Sequence, residues 1–142
     1  MSASTRTLYI AMYEYTSDTD EPIHLYINRK SYESSVTETT KVGSTEVWYV
    51  INHPLHIHLG LFKVLDQTKL VKEEEFKSCM TKLNNAIKCH VEKYARGKKL
   101  EVVAQERGWK NVYKMSPGFV TKIVVKFSYI HTNAYKFLYS CI

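Results

Sequence analysis

Only one stretch of this chain reads with a helical period. Across residues 73–89, Phe76, Met80, Leu83 and Ile87 recur at the spacing of an amphipathic helix. Glu73, Glu74 and Glu75 open it, where the helix dipole favours acids, and Lys88 lies near its end. Everything else reads as short strands divided by turns. Residues 8–15 place Leu8, Ile10 and Met12 on one face. A polar turn over 18–22 leads to a strand at 23–27 and a turn at Asn28-Arg29-Lys30. Residues 33–45 are Ser/Thr-rich and irregular up to Gly43. Strands follow at 46–51, at 56–65 with a break at Gly60, and briefly at 100–104. Pro117-Gly118 is a turn, and 119–127 is the clearest strand. There Phe119, Ile123, Val125 and Phe127 share a face, Thr121 interrupts it, and Lys122 and Lys126 point away. The expected class is mostly β, a sandwich or barrel with one helical insertion at about 73–89.

With 142 residues, a single domain over 1–142 is expected. Eleven tyrosines, many beside Val or Ile, favour strands. The net charge of +6 invites a nucleic-acid reading. The densest basic group, however, is Lys88, Lys93, Arg96, Lys98 and Lys99, with Tyr94 as its one aromatic. That composition reads as a solvated face, so no nucleic-acid partner is expected. No apolar run approaches the ~20 residues of a membrane span. The first apolar run, residues 8–13, meets Glu14 at once and is no signal peptide. Either the chain is cytosolic or its true N-terminus lies elsewhere.

The cysteines are Cys79, Cys89 and Cys141, an odd set with no CxxC pair. On one straight helix, Cys79 and Cys89 would stand about 15 Å apart along the axis. A disulfide between them therefore requires the helix to end or bend first, and Asn84-Asn85, two weak helix formers, is the expected place.

Three of the six histidines fall within six residues, in His53-Pro54-Leu55-His56-Ile57-His58. In a strand, i and i+2 point to the same side, so His56 and His58 can serve one metal centre. His53 has the opposite parity and precedes a proline that holds it extended, so it faces elsewhere. Imidazole suits copper, zinc and iron alike, and the spacing does not choose among them.

The segment from His53 to Gly60, followed by Phe62, Val64 and Leu65, resembles the first copper motif of the C-terminal cupredoxin domain in multicopper oxidases. Glu106-Arg107-Gly108-Trp109-Lys110-Asn111, Pro117-Gly118 and the strand after them follow the order of the spore-coat laccase and bilirubin oxidase branch. Residues 9–15, 22–26 and the helix with Cys79 and Cys89 look most like the plant low-phosphate-root ferroxidases. The resemblance covers nearly all of residues 7–133. It implies an incomplete cupredoxin-like (plastocyanin-like) Greek-key β-sandwich, with copper as cofactor. By position it implies His53 as a type 1 copper ligand, and His56 and His58 as ligands of the trinuclear cluster. In the family, type 1 copper takes single electrons from ferrous iron or a phenol, and the cluster reduces dioxygen to water. The family works in the secretory route, cell wall or endoplasmic reticulum, and association with other cupredoxin domains is implied.

The family's second motif, HCHxxxH, has no counterpart in this sequence. The chain instead ends Tyr139-Ser140-Cys141-Ile142, and Ile51-Asn52 runs straight into His53 without the polar residues that relatives carry. The expectation is a truncated domain with an exposed edge, retaining metal binding but inactive alone. The alternative is a non-catalytic copper-binding or interaction module that modulates an intact oxidase. A cupin-type metal enzyme would want a glutamate shortly after the second histidine, and residues 59–64 contain no carboxylate.

Overall fold

The computed structural model describes residues 6–16, 22–27, 40–41, 43–51, 55–57, 60–127 and 139–140, with 6, 12–16, 22–27 and 139–140 described by backbone alone. Among the described residues, nine strands form two sheets. They are β1 (Arg6–Thr16), β2 (Pro22–Ile27), β3 (Thr45–Ile51), β4 (Leu55–Ile57), β5 (Leu61–Lys69), β6 (Lys99–Leu100), β7 (Val112–Tyr113), β8 (Phe119–Lys126) and β9 (Tyr139–Ser140). Two helices, α1 (Glu73–Leu83) and α2 (Val91–Tyr94), lie between β5 and β6, and one 3-10 turn spans Ala104–Glu106. The larger sheet runs β2-β1-β3-β8-β5-β6, and the smaller runs β7-β4-β9. Among the described strands, β1 pairs with β3 in parallel and the other pairings are antiparallel.

Alternation in the strands builds two cores on opposite faces of the larger sheet. Ile10, Trp48, Val50, Phe62, Val64, Ile123, Val125 and Phe127 face the smaller sheet and meet Leu55 and Ile57 of β4. Each such fully buried side chain contributes about 2–3 kcal/mol of transfer free energy. On the other face Ala11, Ile51, Leu70 and Val120 are covered by Phe76, Met80, Ala86, Cys89 and Val91 of the helical segment. Because both faces of β8 are covered at one end, Val120 and Thr121 are both buried although neighbours alternate.

The expected helix over 73–89 is corrected to a shorter one. Asn84 adopts a left-handed conformation (φ 46°, ψ 41°) and donates its N–H to Met80 O at 2.8 Å, which closes α1 at Leu83. A turn follows, then α2. Ile87, expected on the apolar stripe, is 64% exposed for this reason. The break lets Cys79 and Cys89 join in a disulfide, as the sequence requires if they pair at all.

The break expected at Gly60 within 56–65 separates two strands, β4 and β5. β4 and β5 lie in different sheets, and the chain crosses between them at Gly60. A Cβ there would lie 3.1 Å from Ile57 Cγ2 and 3.6 Å from the Phe127 ring, so this crossing packs too closely for a larger residue. The strand expected over 100–104 shrinks to β6, because the 3-10 turn begins at Ala104. Within the smaller sheet, β4 has β7 on one side and β9 on the other. The turns expected at 18–22 and 28–30, and nearly all of the irregular 33–45 stretch, lie outside the described residues.

Candidate metal centre

β4 is three residues long and central in its sheet. Leu55 and Ile57 are fully buried between the sheets, so period two sends His56 to the opposite face, where it is half-buried. His56 is paired with Val112 of β7 and Ser140 of β9, and Leu55 with Tyr113. Ile57 N donates to Asn111 O at 2.9 Å. The backbone under His56 is therefore held on both sides and anchored below by two apolar side chains.

The other two sequence-derived ligands, His53 and His58, lie outside the described residues, as does Cys141. Among the described residues, no group of three or more His, Cys, Asp or Glu gathers where one ion would fit. The donor chemistry nonetheless suits copper, since imidazole is a ligand copper accepts readily and His56 projects from a strand rather than from a loose loop. His56 supplies one donor, and a stable centre needs others beside it.

Beneath β4 and β7 lies a polar group that the sequence did not announce. Gln67 of β5 is buried, and Thr121 of β8 is fully so. Thr121 Oγ1 donates to Gln67 Oε1 at 3.2 Å, and Ser116 N donates to the same oxygen at 3.3 Å. Gln67 Nε2 donates to the Tyr113 hydroxyl at 3.3 Å. The Ser116 N–H can only donate, so it fixes which end of the amide is oxygen and turns the NH2 toward Tyr113. Burial pushes the Tyr113 hydroxyl above its ordinary pKa, and the nearby Glu106 carboxylate adds to this. Lys110 pairs with Glu106 and lies 5.1 Å from the Tyr113 ring centre. Lys63 lies 5.0 Å from the centre of the Trp109 ring, which is partly exposed. The signal for Gln67 was at most a polar run, Asp66-Gln67-Thr68-Lys69, closing an apolar strand.

No protein-family model matches the chain. It is 66% identical over 138 residues to the multicopper oxidase LPR2 of Arabidopsis thaliana, covering 94% of this chain and 24% of that protein. It is 63% identical over 141 residues to the multicopper oxidase LPR1 of the same plant, again covering 94% and 24%. The chain thus spans about a quarter of the length of these relatives. The fold is similar to a laccase from Pediococcus acidilactici, with a TM-score of 0.59 at 18% identity, covering 99% of this chain and 24% of that one.

Proposed function

Because the chain belongs with the plant multicopper oxidases, copper-dependent oxidoreductases of which it spans about a quarter, we propose that residues 53–58 are its share of their copper sites. In this reading His53 is a ligand of type 1 copper, and His56 and His58 are ligands of the trinuclear cluster. Bound copper would supply one-electron redox chemistry. The electron donor of the intact protein is ferrous iron or a phenol, and the acceptor is dioxygen. The remaining ligands come from other parts of such an oxidase, through association with its other cupredoxin domains. Residues 1–142 then form one plastocyanin-like domain, and alone it binds metal without turnover.

The observation that carries the reading is the setting of His56. It stands half-buried on the middle strand of a sheet, between two fully buried residues, in a chain 94% of which matches a relative at 66% identity. With His58 two residues on in sequence, His56 would give Cu(II) a bidentate start if that residue continues the extended backbone. Titration calorimetry of the chain with Cu(II) tests it. Weak binding that disappears in the His56→Ala, His58→Ala double variant is the expected result. Affinity unchanged by the double substitution would make the motif idle and remove the basis of the reading.

A second reading, a non-catalytic copper-binding or interaction module, is favoured by one surface feature. Leu61 and Leu65 of β5 and Trp109 of the loop before β7 are large apolar side chains left exposed. It shares the copper prediction and differs in needing no other ligands for its role.

A further inference from the structure

The bulge in β5 sets what faces the space between the sheets. Val64 pairs with Ile123, but the next pairs are Asp66 with Lys122 and Gln67 with Thr121, so Leu65 is the extra residue. Without the bulge, regular pairing would set Leu65 opposite Lys122 and Asp66 opposite Thr121 and turn Gln67 to the other face. With it, Gln67 points inward, Asp66 turns outward to Lys99 at 3.4 Å, and Leu65 is left exposed. An apolar interior that buries a glutamine and a threonine requires their hydrogen bonds to be made. They are made to one another, to Ser116 N and to the Tyr113 hydroxyl. Tyr113 is opposite Leu55, one residue before His56.

We propose that Gln67 is a positioning residue: through Tyr113 it holds β7, and hence the histidine strand β4, at a fixed height above the larger sheet. The apolar contacts of Leu55 and Ile57 press the two sheets together but allow sliding, because dispersion is not directional. The amide of Gln67 supplies direction. Its oxygen is fixed by Thr121 of the larger sheet and by Ser116 N of the β7–β8 connection, and its nitrogen reaches Tyr113 of the smaller sheet. A shift of β7 along its length breaks that contact and moves His56 relative to any donor not on β4. The proposal rests on the reading of His56 as a copper ligand, while the positioning itself is measurable without metal.

The experiment compares the full chain with Gln67→Met, Tyr113→Phe and the double variant by amide hydrogen exchange and by Cu(II) titration. Gln67→Met keeps volume and removes the hydrogen bonds. Tyr113→Phe removes one oxygen and remains informative if the other variant unfolds. The Ile57 amide, bonded to Asn111 O, reports β4; the Leu70 amide, bonded to Gly118 O, reports the helix side of the larger sheet. Each single variant is expected to speed Ile57 exchange about five- to tenfold relative to Leu70, the scale of one net hydrogen bond. The double variant adds little to either, because both remove the same link. Cu(II) affinity falls in parallel, whereas Phe76→Leu, which loosens the other core, leaves it unchanged well below its melting temperature. Uniform acceleration at both amides, or additive effects, overturns the positioning role. Selective acceleration in a chain that binds no Cu(II) keeps the positioning role and defeats the copper reading instead.

Discussion

The α-carbons of Cys79 and Cys89 lie 5.8 Å apart, although ten residues separate them in the chain. Cys79 is on the helix and Cys89 is beyond the turn that ends it, so the bridge fastens the turn back onto α1. A closed loop of this length restricts the unfolded chain and stabilises the fold by about 2–3 kcal/mol. The Cys79→Ala, Cys89→Ala double variant is therefore expected to lose about that much in urea unfolding. An unchanged midpoint would mean that the link adds nothing to stability.

The early end of α1 makes a second prediction. Phe76 is buried in the helix-side core and Ile87 is mostly exposed. Phe76→Ala is expected to cost about 3–5 kcal/mol and Ile87→Ala less than about 0.5 kcal/mol. Equal costs for the two would restore a helix continuous to Cys89.

Stability at high pH follows from Tyr113 and Tyr9. Both phenols are held above their ordinary pKa, chiefly by burial, with Glu106 acting on the first and Tyr49 and Glu92 on the second. The unfolded chain loses these protons first, from about pH 10. Their stabilisation is thus complete below that pH and is lost as pH rises through the raised values. Urea midpoints measured upward from about pH 9 should fall steeply, and Tyr113→Phe should flatten part of that fall. A slope unaltered by Tyr113→Phe would place the effect elsewhere.

Copper added to the chain alone is expected to produce no intense blue band. That absorption needs a copper–thiolate bond in a His2Cys site. Cys79 and Cys89 are committed to each other, and the resemblance assigns only His53 to type 1 copper. An absorption scan of the copper-loaded chain decides this. An intense band would identify Cys141 as a thiolate ligand.

What the sequence made legible was whatever depends on local period. Alternation located β1, β2, β3 and β8 and the strands on either side of Gly60, but not the two-residue strands β7 and β9. The need for a break between the two cysteines pointed to Asn84, where the left-handed turn occurs. The helix stripe misled beyond Leu83 because apolar spacing persists through a turn that a single backbone conformation imposes. The break at Gly60 was legible as a glycine inside a strand pattern, but its cause, close approach to Ile57 and Phe127, is a tertiary contact. Thr121 looked like an interruption in an apolar face and is instead the partner of Gln67. That pairing depends on a bulge, and a bulge shows only when two strands are aligned.

The place of β8 governs how this domain can be made. It lies between β3 and β5, both synthesised earlier, and neither of those strands pairs with the other. On the ribosome, β3 and β5 must wait with open hydrogen-bonding edges until residues 119–126 emerge some fifty positions after the end of β5. Such delayed, long-range closure is slow and leaves nascent chains prone to stick to one another. The disulfide-bonded helical hairpin is complete before β8 appears, so the chain carries a locally formed unit through the interval in which its main sheet cannot yet exist.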